Sequence, residues 1–218
     1  MTLHYDLYWS FRSPFSYLVT PRLLALEEEF DVRCNVRPVY PIAIRTPETI
    51  RRFDPLFGPY LRRDIVRLGE YLGMPIRWPV PDPVTMDMVT REIPDEQPYI
   101  HRLTRLGVAA AERGRGLQFL TEASRVIWSG QVDNWHQGDH LAGAAKRAGL
   151  DFAELGAAVD AEPERYDAII EASQVAQRQG GHYGVPLMVF EGEPFFGQDR
   201  FDLLKWRLEQ HGLKPRRA

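Results

Sequence analysis

Cysteine is nearly missing from this chain: Cys34 is the only one in 218 residues, which excludes an internal disulfide, a dithiol redox pair and any cysteine-rich zinc site. An excess of either charge is missing too. Lysine and arginine together number 27 against 30 aspartates and glutamates, a formal charge of −3, so electrostatics does not favour nucleic acid or an anionic membrane as the main partner. No apolar run approaches the roughly 20 residues that span a bilayer. The start MTLHYDLYWS lacks the basic flank and small-residue cleavage site of a secretory signal, and the expectation is a cytoplasmic protein. Glycine-rich phosphate loops, internal repeats and low-complexity stretches are absent as well. What is present, 44% hydrophobic and 26% charged residues, is ordinary globular material, enough for one large domain or one domain carrying an insertion.

Leu3, Tyr5, Leu7 and Trp9 alternate with polar neighbours at the period of a half-buried strand, and Val32, Cys34 and Val36 do so again. Between them Phe15, Leu18, Val19, Leu23, Leu26 and Phe30 recur at helical spacing, with Glu27 to Glu29 on a solvated face. A strand, helix, strand order predicts parallel strands joined by a crossover helix. Pro14 suits the first helical position and makes Ser13 the N-cap, whereas Pro21 falls inside the pattern and is expected to kink the helix or cost about 3 kcal/mol. From about Thr46 to Gly180 the periodicity is helical only, interrupted by the rigid connector Pro75–Pro83. Strands return at LMVF and PFF, joined by a turn at Glu191 and Gly192. A last helix follows Gly197, with Phe201, Leu204 and Leu208 on one face and Gly212 as its stop, and the end KPRRA is expected to fray. The prediction is an α/β fold in which residues 1–45 and 181–218 form the α/β unit and 46–180 an all-helical insertion.

Three segments carry chemistry. Ser13-Pro14-Phe15-Ser16 lies where strand meets helix, and there the unpaired amides and the dipole of the helix start stabilise an anion or a thiolate. Ser13 reads either as a donor to that anion or as a plain helix cap. In GHYGVPLMVF, a proline before a buried strand forces Val185 to be extended, so its main chain can face a peptide-like ligand. In Gly197 to Arg200, Asp199 can cap the last helix or accept from a ligand ammonium, while Gln198 and the amides can hold a carboxylate. The pair His136 and His140 has chelating spacing, but Gly138 and Asp139 read as loop and cap with no third ligand in sight, so no metal is expected. Cys34 reads as a small buried hydrophobe, and Trp128, Trp135 and Trp206 as core or dimer contacts.

The order of these segments resembles thioredoxin-like proteins of the DsbA type, with both sulfurs of the four-residue motif replaced by hydroxyls, those of Ser13 and Ser16. The wording YWSFRSPFSYL and YGVPLMVFEGEPFFGQDRFDLL is similar to the 2-hydroxychromene-2-carboxylate isomerases and their relatives, the kappa-class glutathione transferases. That resemblance implies a thioredoxin-like domain with a helical insertion, glutathione as the cofactor, Ser13 as the catalytic residue at its thiolate, and Val185 before a cis Pro186 pairing with its cysteinyl part. It further implies that Phe196, Gly197, Gln198 and Asp199 hold the γ-glutamyl end, with Arg200 orienting Asp199. A small aromatic or hydrophobic substrate and a homodimer are implied as well. Residues 38–60 depart from the relatives in having neither Lys nor Asn, which leaves Arg45, Arg51, Arg52, Arg62 or Arg63 as the cation for the glycyl carboxylate. Three functions follow: an isomerase that returns glutathione unchanged, a transferase that leaves it on the product, and a non-catalytic module that holds an extended peptide against Val185.

Overall fold

The computed structural model describes residues 2–87 and 89–216. Strand β1 (Leu3–Trp9), helix α1 (Pro14–Glu29) and strand β2 (Val32–Pro38) form the predicted crossover, with β1 and β2 parallel from Leu3 opposite Val32 to Trp9 opposite Pro38. Seven short or medium helices and a long irregular stretch come next. They are α2 (Ile42–Arg45), α3 (Pro47–Arg51), α4 (Phe57–Leu72), α5 (Ile100–Glu112), α6 (Gly116–Trp128), α7 (His140–Arg147) and α8 (Phe152–Ala161), and then α9 (Pro163–Gln179) leads back to the sheet. Strands β3 (Leu187–Phe190) and β4 (Glu193–Phe196), a 3-10 turn (Gln198–Arg200) and α10 (Phe201–Gln210) complete the chain. The sheet order is β2-β1-β3-β4, with β3 antiparallel to both of its neighbours. The β3–β4 turn has φ of 48° at Glu191 and 81° at Gly192, the positive pair that a tight two-residue hairpin requires and that glycine adopts at least cost.

One hydrophobic core runs from the sheet into the helices, through Trp9, Phe11, Leu18, Phe119, Leu120 and Trp128. Trp9 and Phe11 meet edge to face at 4.7 Å, and burying each such ring contributes about 2 kcal/mol or more. The Trp9 indole donates to the Ser16 carbonyl and to Thr20 Oγ1, and the Trp128 indole donates to the Phe11 carbonyl. These bonds seat β1 and the segment after it between α1 and α6. Among the described residues no helix is long and apolar enough to cross a membrane.

Helix α1 runs unbroken through Pro21, which lies on its exposed side while Leu18, Val19, Leu23 and Leu26 anchor the other. Three expectations need correction. The helices after β2 begin at Ile42 rather than about Thr46. The irregular stretch extends over the described residues of 73–99, well past the Pro75–Pro83 connector, because Pro94 and Pro98 continue to withhold amide donors. The C-terminal end is tied down as far as Arg216: Pro215 bridges Phe30, and the amides of Asp31 and Arg216 donate to the carbonyls of Lys214 and Glu29. Residues 217–218 of the KPRRA end lie outside the described residues.

Candidate active site

Ser13 is the N-cap of α1. Its φ of −101° and ψ of 114° are extended, and its Oγ accepts from the Ser16 amide at 3.2 Å. The same hydroxyl donates to the Val185 carbonyl at 3.3 Å, across 172 residues of sequence. One hydroxyl thus serves both as the helix cap and as a bridge to the second segment. Ser16 differs in being completely buried, with an Oγ that has no partner among the described residues. It takes the inner position of the four-residue motif and faces the core, where a reactant does not reach.

The Val185–Pro186 bond is cis, as is Val80–Pro81. Nothing among the described residues accepts from the Val185 N–H, and the Val185 carbonyl is held by Ser13. The Pro186 carbonyl accepts from the Gly197 amide at 2.9 Å, which joins the cis-proline loop to the third predicted segment. There Gln198 is buried. Arg22 of α1 donates to both its side-chain oxygen (2.6 Å) and its carbonyl (2.9 Å), leaving the Gln198 NH2 group as the free donor. Arg22 lies over the Phe201 ring, and burial lowers its pKa. Sequence reading missed Arg22, although a cation beside Leu18 and Leu23 on a buried helix face was a visible signal. Asp199 and Arg200 are exposed and paired at 2.7 Å, and Phe196, 44% exposed, stacks on His182.

Arg45 does not serve as a free cation. Its two terminal nitrogens donate to Gln177 Oε1 and to the Tyr183 carbonyl, both at 2.9 Å, and burial followed by the nearby Arg178 lowers its pKa to about 10. Arg51, Arg52 and Arg63 are exposed, and Arg62 lines a cavity of about 280 Å³. Arg12, the chain neighbour of Ser13, also lines this cavity, and Ile50, Phe53, Phe57, Trp78 and Met86 supply apolar walls. Arg12 makes a two-pronged pair with Asp82 at 2.8 and 2.9 Å. Asp82 also accepts from the Trp78 indole (3.1 Å) and the Val84 amide (2.9 Å), so four donors converge on one carboxylate. Arg91 donates to the carbonyls of Ile50 and Phe53 and holds α3 against the irregular stretch.

Elsewhere, Trp128 and Trp135 are core, while Trp206 is about half exposed. His140 opens α7, and His136 packs on Tyr99 and Trp135. Burial pushes the Cys34 thiol well above its ordinary range, so its thiolate is not available.

The sequence matches the DSBA-like thioredoxin domain over residues 5–209. A 2-hydroxychromene-2-carboxylate isomerase of Sphingobium xenophagum is 28% identical over 208 residues, 94% of this chain and 97% of that protein. The solved selenomethionine form of a 2-hydroxychromene-2-carboxylate isomerase shares the fold at a TM-score of 0.67 and 20% identity, over 96% of each chain. A probable DsbA oxidoreductase of Streptomyces coelicolor follows at 0.65 and 19%, over 99% of this chain and 93% of that one. The cytosolic disulfide reductase DsbM of Pseudomonas aeruginosa, solved with GSH, does so at 0.58 and 17%, over 95% and 100%.

Proposed function

The chain belongs to the DsbA-like thioredoxin family, and from that premise we propose that it is a glutathione-dependent isomerase acting on a small aromatic substrate with a conjugated, pyruvylidene-type side chain. The observation that carries the reading is the Ser13 hydroxyl, placed at the first turn of α1 and 3.3 Å from the Val185 carbonyl, in a motif without sulfur. The helix start that can stabilise a thiolate is present while the four-residue motif itself carries no thiol. The sulfur then has to arrive with a ligand. The 28% identity to an isomerase supports the reaction class, and a neighbour solved with GSH supports the ligand.

The residues fit glutathione. The Val185 N–H and C=O match the cysteinyl main chain, the Gln198 NH2 group suits the γ-glutamyl carboxylate, and Asp199 suits its ammonium. Glutathione held by these residues would supply a thiolate able to add reversibly to a conjugated double bond. Ser13 turns its donated proton from the Val185 carbonyl to the sulfur, and the α1 amides add their partial positive charge, lowering a thiol pKa that is about 8.5 in water. The cavity behind Arg12 receives the apolar body of the substrate and excludes water from it.

Ultraviolet absorbance of benzylidenepyruvate with and without glutathione, together with the mass of the product, tests the proposal. Isomerisation that needs only catalytic amounts of glutathione and accumulates no adduct is the expected result. Stoichiometric adduct replaces the isomerase with a transferase, and extended-peptide binding without turnover replaces it with a non-catalytic module.

A further inference from the structure

We propose that His182 is a positioning residue for the site: by accepting the Gly184 amide on Nδ1, it aims the Val185 N–H that receives the cysteinyl part of glutathione. The inference rests on the glutathione reading above. Three side chains grip two consecutive peptide groups. The Tyr183–Gly184 group is held at its oxygen by Arg45 (2.9 Å) and at its N–H by His182 Nδ1 (2.9 Å). The Gly184–Val185 group is held at its oxygen by Gln177 Nε2 (2.7 Å), whose own Oε1 accepts from Arg45. The remaining pole of that second group is the Val185 N–H, for which no protein acceptor exists among the described residues. Its direction is thus set by the grip on the other poles.

The imidazole is locked in turn. It stacks on Phe196 at 3.8 Å and on Tyr183 at 4.8 Å, with interplanar angles of 22° and 13°. Gly184 makes this closure possible, since a Cβ there would lie 2.3 Å from Phe196 Cε2 and 3.0 Å from His182 Cε1. An imidazole that accepts on Nδ1 is neutral, with its proton on Nε2. A second proton would put a donor against the Gly184 donor and release the grip. At this ring and the peptide groups beside it, α2 contributes the Arg45 guanidinium and α9 the uncharged Gln177, both on the carbonyls, β4 contributes the uncharged Phe196 on the ring, and the titratable neighbour on the loop itself is the Tyr183 phenol. Burial lowers the His182 pKa, which keeps the accepting form in place at neutral pH.

The test uses the full-length protein and S-methylglutathione, which has no thiol to titrate. Binding is followed by calorimetry from pH 7.5 to 5.0, alongside amide hydrogen exchange at Gly184. Wild-type affinity is expected to fall about fivefold as His182 takes its proton, with faster exchange at Gly184. His182→Phe, which keeps a stacking ring without an acceptor, is expected to bind about fivefold more weakly at pH 7.5 and to lose the pH dependence. His182→Asn, whose Oδ1 replaces the accepting nitrogen, is expected to restore affinity at pH 7.5 while remaining flat with pH. Wild-type affinity and pH profile in His182→Phe overturn the inference, as does unchanged Gly184 exchange. Wild-type protein that binds no S-methylglutathione at pH 7.5 overturns the reading beneath it instead.

Discussion

Around Ser13 most of the groups that frame the candidate site belong to the backbone: the α1 amides, the Val185 N–H and C=O, and the Gly197 segment joined to Pro186. One residue earlier, at Arg12, they are side chains, carried on α3, on α4 and on a stretch between 73 and 99 whose described residues form no helix or strand. In the first region side chains act through the main chain they hold, as Arg45, Gln177 and His182 do on the two peptide groups before Val185. In the second the side chains are themselves the walls, so each substitution there changes the shape of the cavity. The order within the second region depends on Asp82, which gathers four donors and replaces the absent secondary structure with a point of attachment.

Four substitutions or conditions break or sharpen that contrast. The largest effect is expected from Arg12→Ala, which leaves a four-fifths buried Asp82 carboxylate without its cation. A loss of about 2–3 kcal/mol in denaturant unfolding is predicted, partly recovered when Asp82 is also made alanine. Ser13→Ala comes next, because it removes a donor aimed at the thiolate while leaving the cavity intact. Turnover should fall about tenfold or more with acceptor KM little changed, and an unchanged rate in a folded variant contradicts the role. Phe57→Ala opens a cavity wall and should raise the acceptor KM about threefold with the glutathione constant unaltered, which separates the two regions kinetically. The smallest effect is on stability against pH. Burial lowers the pKa of both His101 and His182 below 6.5, so the unfolded chain binds more protons, and the stability they contribute is complete above about 6.5 and declines below it. A slightly lower Tm at pH 5.5 than at pH 7.5 is expected from these two groups.

Much of the first region was legible in the sequence, because its signals are local. Alternation in Leu3 to Trp9, the Ser13-Pro14 start, the Glu191-Gly192 turn and the helical spacing after Phe201 each lie within one element, where a period of two or 3.6 residues is set by backbone geometry. The predicted site segments also meet, through Ser13 to Val185 and Gly197 to Pro186. What stayed illegible depends on partners remote in the chain. Arg22 finds Gln198 across 176 residues and Arg45 finds Tyr183 across 138, so neither sequence neighbourhood reveals that the charge is already engaged. The C-terminal residues, polar and basic in isolation, are ordered only because the β2 approach at Phe30 and Asp31 offers them backbone partners. Likewise, the shape of 73–99 follows from Asp82, Arg12 and Arg91 rather than from any periodic pattern.

The most direct test of the account is a calorimetric titration of the purified protein with reduced glutathione, repeated with Asp199→Ala. Saturable binding that weakens about threefold or more in the variant is predicted, with the γ-glutamyl end at the Gly197 to Arg200 segment. No binding at millimolar glutathione would contradict the account, and wild-type affinity in Asp199→Ala would contradict the placement of that end.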